Sequence, residues 1–264
     1  GYDFTYTRSG KNFEPEMGFQ QRSDYSYYAG SLQYGWLPGE SSPLMNHKID
    51  LNSAVYIDNI SGDAQSSETE LKYLFYLKSG FNGAVSVKNG FENIDRDFSF
   101  SDEAYIPAGK FSFNYFETHL HSPKSYALQL GLDAVAGGFY DGSRFEIGLK
   151  PEWSIGSSLQ LGLDYEYNRV KFPDREQNFT SNIARFKALV MFTTKLSVSS
   201  FVQYNSTDNA IVTNLKFRYN PKEGNDLYIV FNEGRNTYRN LENPRLPEVN
   251  NRSMLFKYTY TFTL

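Results

Sequence analysis

Apolar and polar residues alternate one by one along most of this chain. In the segment 158–170 every second residue is apolar or aromatic: Leu159, Leu161, Leu163, Tyr165 and Tyr167. The residues between them are Gln160, Gly162, Asp164, Glu166 and Asn168. Successive side chains of a β-strand point to opposite faces of the sheet. An alternation sustained over about ten residues therefore predicts a strand with one apolar and one polar face.

The same pattern recurs often enough to predict a protein made almost entirely of strands. Most segments are longer than the roughly five or six residues usual in soluble sheets. They match the roughly 9–11 residues with which a tilted strand crosses a bilayer. The fourteen predicted strands cover 2–8, 25–36, 47–59, 69–79, 83–91, 106–118, 125–137, 143–154, 158–170, 183–193, 196–205, 210–219, 226–233 and 252–264.

The links between these segments tend to alternate in length. Outer-membrane barrels combine short periplasmic turns with longer outer loops, and an even strand number places both termini on the periplasmic side. The predicted long links are 91–105, 171–181 and 234–251; the short ones are 156–157, 193–195 and 220–225, and the link 206–209 breaks the rule. The chain is therefore predicted to be all-β, a transmembrane antiparallel up-and-down β-barrel of about 14 strands that forms one domain, 1–264.

A soluble jelly roll or lectin sandwich is the alternative fold, since its strands also alternate. Its apolar faces would be rich in Val, Ile and Leu, whereas many apolar positions here are aromatic and lie near strand ends. Aromatic rings with one polar edge settle at the level of the lipid headgroups and form girdles. The predicted girdle consists of Trp153, Tyr165, Tyr167, Tyr204, Tyr219, Tyr258 and Tyr260.

Composition supports the barrel and removes several kinds of partner. Tyr (21) and Phe (22) raise the aromatic content to 17%, and Cys is absent, which excludes disulfides and thiolate chemistry. The mean hydropathy is −0.54, a value compatible with a barrel whose strands alternate polar and apolar residues. A net charge of −4 argues against nucleic acid as a partner.

Short segments of the chain also resemble one known family. They are Phe13–Phe19 with Arg22 and Asp24, Ser200–Asn205, Asn214–Tyr219 and Val230–Glu233. These resemble the C-terminal barrel region, a domain of unknown function, of large Gram-negative outer-membrane proteins that carry an N-terminal family-nine-like carbohydrate-binding module. The resemblance implies a bacterial outer-membrane location and a barrel larger than this chain, truncated at Gly1. It implies glycan binding only through that module, which these residues do not contain.

The polar faces of the predicted strands carry many charges. Strands eight and nine are mainly acidic, and strands ten, twelve and fourteen are mainly basic. We expect an acidic wall opposite a basic wall if the barrel closes; the alternative is a lumen of locally paired charges. The charges expected to face the lumen are Glu146, Glu152, Asp164, Glu166, Arg185, Lys187, Lys216, Arg218 and Lys257, with Lys48, Asp50, Glu70, Lys72, Arg144 and Lys150 in the same set.

No constellation of residues predicts catalysis or a cofactor. His119 and His121 share a strand face, but no third ligand is evident in the sequence, so ordinary rim residues are the preferred interpretation. Glu14 and Glu16 flank Pro15 in a polar loop, and no phosphate loop, nucleophile elbow or zinc-protease helix is present. The chain is expected not to be an enzyme and to bind neither metal nor cofactor.

The C-terminal run resembles a barrel assembly signal through Tyr258, Tyr260, Phe262 and Leu264, although such signals usually end in an aromatic residue. Three functions are compatible with this sequence. The first is passage or surface handling of polar solutes, including glycan-derived ones. The second is a plugged docking barrel that binds other outer-membrane or periplasmic proteins, and the third and weakest is an outer-membrane hydrolase. Outer-membrane lipid is an expected partner of all three.

Overall fold

The computed structural model describes residues 1–13, 22–101 and 104–262, and its regular structure is almost entirely β-strand. The alternation of side chains, without a run of Ala, Leu, Glu and Lys at helical spacing, favours this outcome. The strands are β1 (Tyr2–Ser9), β2 (Tyr25–Trp36), β3 (Leu44–Asp58), β4 (Ala64–Leu77), β5 (Asn82–Ile94), β6 (Phe98–Ser101), β7 (Ala104–Ile106), β8 (Gly109–His121), β9 (Leu128–Phe139), β10 (Gly142–Ile155), β11 (Leu159–Phe172), β12 (Gln177–Thr193), β13 (Leu196–Asn205), β14 (Ala210–Lys222), β15 (Asn225–Asn236) and β16 (Val249–Thr259).

Fourteen of these strands form one antiparallel sheet in which each strand lies beside the next one in the chain. The order departs from the chain order only after β5, which pairs with β8, because β6 and β7 pair with each other in a separate hairpin. β1 and β16 stand at the two ends of this order, so the sheet is not closed. The predicted all-β, up-and-down arrangement of fourteen strands is confirmed.

The structure differs from the sequence prediction mainly in two links. The link predicted at 91–105 contains the hairpin β6–β7, which was not predicted. The long link predicted at 171–181 is wrong, because β11 and β12 continue until only a 3-10 turn, Pro173–Arg175, and Glu176 remain between them. The last strand ends at Thr259, although the alternation continues to the end of the chain.

The chain divides into two compact units. Unit 1 comprises 1–121, 133–146 and 169–179, and unit 2 comprises 122–132, 147–168 and 180–264. The buried hydrophobic side chains found in the described residues all belong to unit 1: Ala104, Ile106, Val170 and Phe172. This cluster explains why β11 continues past its predicted end, since Val170 and Phe172 are covered by Ala104 and Ile106 of β7.

Most other large apolar side chains are exposed, including Leu32, Leu71 and Phe116 in unit 1 and Leu215 and Phe256 in unit 2. A water-soluble domain normally buries such side chains in its core. Across the described residues, no helix has the length and apolarity needed to cross a membrane.

Candidate functional site

In unit 1 one face of the sheet presents a row of apolar side chains to the surroundings. The register aligns Leu32 with Leu51, Leu51 with Leu71, Leu71 with Val87 and Val87 with Phe116 across β2, β3, β4, β5 and β8. Their exposed fractions lie between 41% and 58%. We call these five residues the exposed apolar row. The face that carries them is the apolar face of unit 1, and the opposite one is its polar face.

The polar face carries a connected set of charged and amide side chains, the ion-pair ladder. At its centre Glu70 of β4 accepts a hydrogen bond from Asn52 Nδ2 at 3.2 Å and lies 3.0 Å from Lys72 Nζ. The other carboxylate oxygen of Glu70 lies 3.5 Å from Lys88 Nζ on β5. The ladder consists of Asn52, Glu70, Lys72, Lys88, Glu117, His119 and Asp133.

From Lys88 the ladder continues across β8 to β9. Lys88 Nζ lies 2.5 Å from Glu117 Oε2, and the other oxygen of Glu117 lies 2.8 Å from His119 Nε2. His119 Nδ1 then lies 2.7 Å from Asp133 Oδ1. Charges of opposite sign alternate from Lys72 through Glu70 and Lys88 to Glu117, and His119, when protonated, continues this alternation between Glu117 and Asp133.

Burial on the polar face is the reverse of what an aqueous surface would show. Glu70 is 7% exposed, and Ser86 of β5, which is aligned with Lys72, is 3% exposed. A carboxylate this buried is stable only when it is paired and hydrogen-bonded. Unit 1 therefore covers the Glu70 carboxylate on its polar face and exposes the Leu, Val and Phe side chains of the exposed apolar row.

Aromatic side chains gather on the apolar face of unit 1 towards the end that carries the links 37–43 and 78–81, the turn end. The Tyr34 and Trp36 rings are 4.4 Å apart, and Trp36 stacks on His47 at 5.0 Å. Tyr73 contacts the His47 ring, and its hydroxyl lies 3.1 Å from His47 Nδ1. The predicted girdle does not contain this group. The sequence did contain the pattern that indicates a girdle, because Tyr34, Trp36 and Tyr73 occupy the alternating apolar positions of their strands, near the strand ends.

At the opposite end of unit 1, the loop end that carries links 59–63, 95–108 and 140–141, the polar face contains a cavity. Its volume is about 270 Å³. Four aromatic rings line it together with three charged side chains, and small residues complete the wall. We call it the aromatic cavity; the rings belong to Tyr56, Phe113, Tyr115 and Phe139, and the charged groups to Glu68, Glu92 and Arg144.

The hairpin β6–β7 is anchored at this loop end. Ile106 is fully buried in the cluster that contains Phe172. The Arg175 guanidinium donates a hydrogen bond to the backbone oxygen of Tyr105 and another, of 2.8 Å, to Asp141 Oδ1. The same guanidinium lies 4.2 Å from the centre of the Phe172 ring. These contacts hold the hairpin in one position against the ends of its neighbouring strands.

Tyr140 lies between β9 and β10, next to this cluster. Its ring contacts Phe111 at 5.5 Å and Phe113 at 5.4 Å. Burial raises the pKa of the Tyr140 hydroxyl, and the nearby Glu92 carboxylate raises it further. Tyr140 therefore stays neutral and acts as a packing residue of the loop end.

In unit 2 the polar face contains most of the charges predicted to face a lumen. Arg185 Nη1 lies 2.8 Å from Glu166 Oε1 and 3.3 Å from Asp164 Oδ2, and Arg185 Nε donates to Gln203 at 3.2 Å. Glu152 accepts a hydrogen bond from Gln160. These contacts favour local pairing over separate acidic and basic walls. Glu146, a member of the predicted set that belongs to unit 1, pairs with Arg144.

The basic residues of the predicted set surround a wider opening. Lys187, Lys216 and Arg218 line a cavity of about 560 Å³ in unit 2 together with Glu152 and Asn214. Arg218 Nε also lies 2.8 Å from Asp226 Oδ1. We call this cavity the basic recess. Lys257 is placed opposite Tyr228 in the register of β15 and β16 and does not line the recess.

The predicted girdle residues of unit 2 form two groups, which lie towards opposite ends of the strands. Tyr219 and Tyr258 pair with the same residue, Leu227, near the links 223–224 and 194–195, and Trp153 lies near the link 156–158. Tyr204 pairs with Ile211 near the link 206–209, and the Tyr165 hydroxyl donates to Asn182 Oδ1 at 2.8 Å. Tyr167 lies two residues after Tyr165, on the same face of β11. Tyr260 lies beyond β16 and contacts Tyr258 and Phe262.

Several predictions fall partly or wholly outside the described residues. Leu264 of the assembly signal, Glu14, Glu16 and most of the segment Phe13–Phe19 lie there. The His119–His121 pair is described, and the register places both residues on the polar face. His119 contacts Glu117 and Asp133, acidic partners that sequence analysis missed although Glu117 lies only two residues away. Within the described ranges no group of three or more His, Cys, Asp or Glu is arranged to hold a metal.

Comparison of the chain with protein-family models and with curated proteins finds no match in either case. The arrangement of its own side chains therefore carries the functional argument.

Proposed function

We propose that this chain is an outer-membrane β-barrel, or a region of one, that acts in the passage or surface handling of polar solutes, including glycan-derived ones. The observation that carries the proposal is the reversed burial in unit 1, where the exposed apolar row lies opposite the buried Glu70. In a membrane barrel the apolar side chains of each strand face lipid, and the polar ones face the lumen. The same arrangement in water would leave an extended apolar surface unsatisfied.

A bilayer also sets a condition on the sheet edges. Its hydrocarbon core offers no water to unpaired backbone N–H and C=O groups. The proposal therefore requires that the outer edges of β1 and β16 find strand partners in the membrane. Hydrogen exchange measured in lipid vesicles checks this condition: we expect slow exchange of the amides in both strands, and fast exchange throughout either strand would contradict it.

The facing of the strands is tested by one substitution made on both sides of β4. Leu71 belongs to the exposed apolar row, whereas Leu74 is aligned with Lys48 and Ala84 on the polar face. Leu71→Arg should lower the free energy of unfolding from lipid vesicles by about 2–4 kcal/mol, because an arginine near the bilayer centre loses its hydration. Leu74→Arg is the matched control and should fold almost normally. Equal effects of the two substitutions would show that the assigned faces are wrong.

Passage is tested by inserting the purified protein into a planar lipid bilayer. Steady, stepwise conductance is expected if the polar face lines an open lumen. The basic recess supports this function, because Lys187 and Lys216 leave positive charge on the polar face where a solute could meet it.

A plugged docking barrel is the second candidate, and the anchored hairpin β6–β7 favours it. A hairpin held by the Ile106–Phe172 contact and by Arg175 occupies space at the loop end of the polar face. In this case the intact protein should be silent in a planar bilayer, and Arg175→Gln should produce conductance by releasing the hairpin. Silence of both proteins, each shown to be folded, would exclude passage through this chain.

A further inference from the structure

We propose that the aromatic cavity of unit 1 binds a single neutral sugar ring. This inference deepens the proposed function, on which it rests, by naming the class of solute and the residues that hold it. The cavity opens on the polar face near the loop end, where Tyr56, Glu92 and Phe113 lie close to the ends of β3, β5 and β8.

The aromatic walls suit the apolar faces of a sugar ring. A pyranose presents C–H groups on its two flat sides, and these pack favourably against aromatic rings. Phe113 lies 6.2 Å from Tyr115 and 6.4 Å from Phe139, measured between ring centres. The Tyr56 ring lies 4.6 Å from the ring of Tyr27, its partner across β2 and β3. The rings are thus held in position by neighbours before any ligand arrives.

Glycines create the space between these rings. Gly90 is aligned with Phe113, and a Cβ atom at Gly90 would lie 2.9 Å from the Phe113 ring. A Cβ atom at Gly138 would lie 2.9 Å from Phe113 Cβ and 3.2 Å from the backbone oxygen of Asn114. Larger residues at these two positions would force Phe113 to move. The shape of the cavity therefore depends on both glycines.

The polar groups of the cavity suit the hydroxyl edge of a sugar. The Tyr115 hydroxyl donates a 2.7 Å hydrogen bond to Glu68 Oε2, which orients that carboxylate. Arg144 Nε is buried and has no hydrogen-bond partner among the described residues. A carboxylate accepts from sugar hydroxyls and a guanidinium donates to them. Both kinds of partner therefore line the same cavity.

An unpaired donor favours a sugar over an organic cation. The lining carries two carboxylates, Glu68 and Glu92, and one guanidinium, Arg144, and the Arg22 guanidinium lies 4.5 Å from the centre of the Tyr56 ring. Aromatic rings with a net negative charge also suit an organic cation, but such a cation offers no acceptor to the buried Arg144 Nε–H, whereas a sugar hydroxyl does. A volume of about 270 Å³ lies just below the roughly 300–1,000 Å³ of sites for drug-sized ligands. That size suits one ring rather than an oligosaccharide.

Saturation-transfer NMR on the folded full chain in detergent micelles tests this site. The probes are five neutral methyl pyranosides (gluco, galacto, manno, xylo and N-acetylglucosamine), with choline as the cationic comparison. We expect saturation of the ring C–H protons of at least one pyranoside and none of choline. Binding of choline alone would replace the sugar site by a cation cage, and transfer to none of the six probes would overturn the proposal.

Substitutions test whether the sugar binds in the aromatic cavity. Glu68→Gln should weaken sugar binding about tenfold through loss of a charge-assisted hydrogen bond. Phe113→Leu should weaken it by roughly threefold to tenfold through loss of the ring. Phe116→Leu changes the same residue type on the apolar face of the same strand and should have no effect. An equal loss of sugar affinity in Phe116→Leu would contradict binding in the aromatic cavity.

The two proposals can fail separately. Sugar binding by a protein that is silent in planar bilayers would leave the site standing and remove passage. Conductance in planar bilayers without saturation transfer to any pyranoside would support passage and overturn the sugar site.

Discussion

The polar faces of the two units use their charged residues in different ways. In unit 1 the ion-pair ladder connects β4, β5, β8 and β9 through Glu70, Lys88, Glu117, His119 and Asp133. In unit 2 Arg185 holds two carboxylates, Arg218 pairs with Asp226 between β14 and β15, and amide and hydroxyl groups also connect β14, β15 and β16. Those groups are Asn214, Asn232 and Ser253.

This difference separates a structural role of charge from a functional one. Charges that neutralise one another hold neighbouring strands together, and they exert only a weak electrostatic field on a passing solute. Lys187 and Lys216 in unit 2 have no ion-pair partner within the described residues, so their charge reaches the space of the basic recess. Unit 1 is therefore expected to depend on its charges for stability, and unit 2 to depend on its lysines for selectivity.

The largest expected effect comes from breaking the ladder at Glu70. Glu70→Gln should lower the free energy of unfolding by about 3 kcal/mol, because Lys72 and Lys88 both lose a buried carboxylate. Equilibrium urea unfolding from lipid vesicles measures this change. Glu68→Gln, on the same strand and face but at an exposed position, is the matched control and should cost less than about 1 kcal/mol. A similar cost for both variants would show that the ladder has no special role.

A smaller effect is expected from Arg185 in unit 2. Arg185→Gln leaves Asp164 and Glu166 two residues apart on one face without their cation, and should cost about 1–2 kcal/mol because all three groups are partly exposed. The same unfolding measurement applies. Lys187→Gln, the next residue on that face of β12, is the control and should be nearly neutral. If Arg185→Gln cost as much as Glu70→Gln, the contrast between the units would disappear.

The smallest effect on stability is expected in the basic recess, where the change should appear in ion selectivity. The double variant Lys187→Gln/Lys216→Gln should keep its unfolding free energy within about 0.5 kcal/mol. In a KCl gradient its reversal potential should move towards preference for K⁺, because two fixed positive charges are lost. Lys195→Gln, which removes a lysine from the link 194–195, should leave the reversal potential unchanged. An unaltered potential in the double variant would mean that the recess does not line the path of ions.

Sequence patterns predicted the strands far better than the loop end. The alternation in 158–170 and its counterparts identified all fourteen strands of the sheet, and it assigned Glu70, Lys72 and Arg185 to polar faces. It did not predict β6–β7, because those strands contain only four and three residues and leave little room for a periodic pattern. The end of β11 was missed for a related reason, since Val170 and Phe172 are covered by this hairpin.

The sequence by itself determined the period of two, and with it the fourteen strands of the main sheet and the apolar or polar character of each face. Those properties are local, because successive side chains of an extended chain must point in opposite directions. Only the tertiary structure decided that Lys88 meets both Glu70 and Glu117, that His119 lies between two carboxylates, and that four aromatic rings enclose a cavity. These contacts join residues far apart in the chain, and they depend on the register between strands, where a slip of one residue would turn every side chain to the other face.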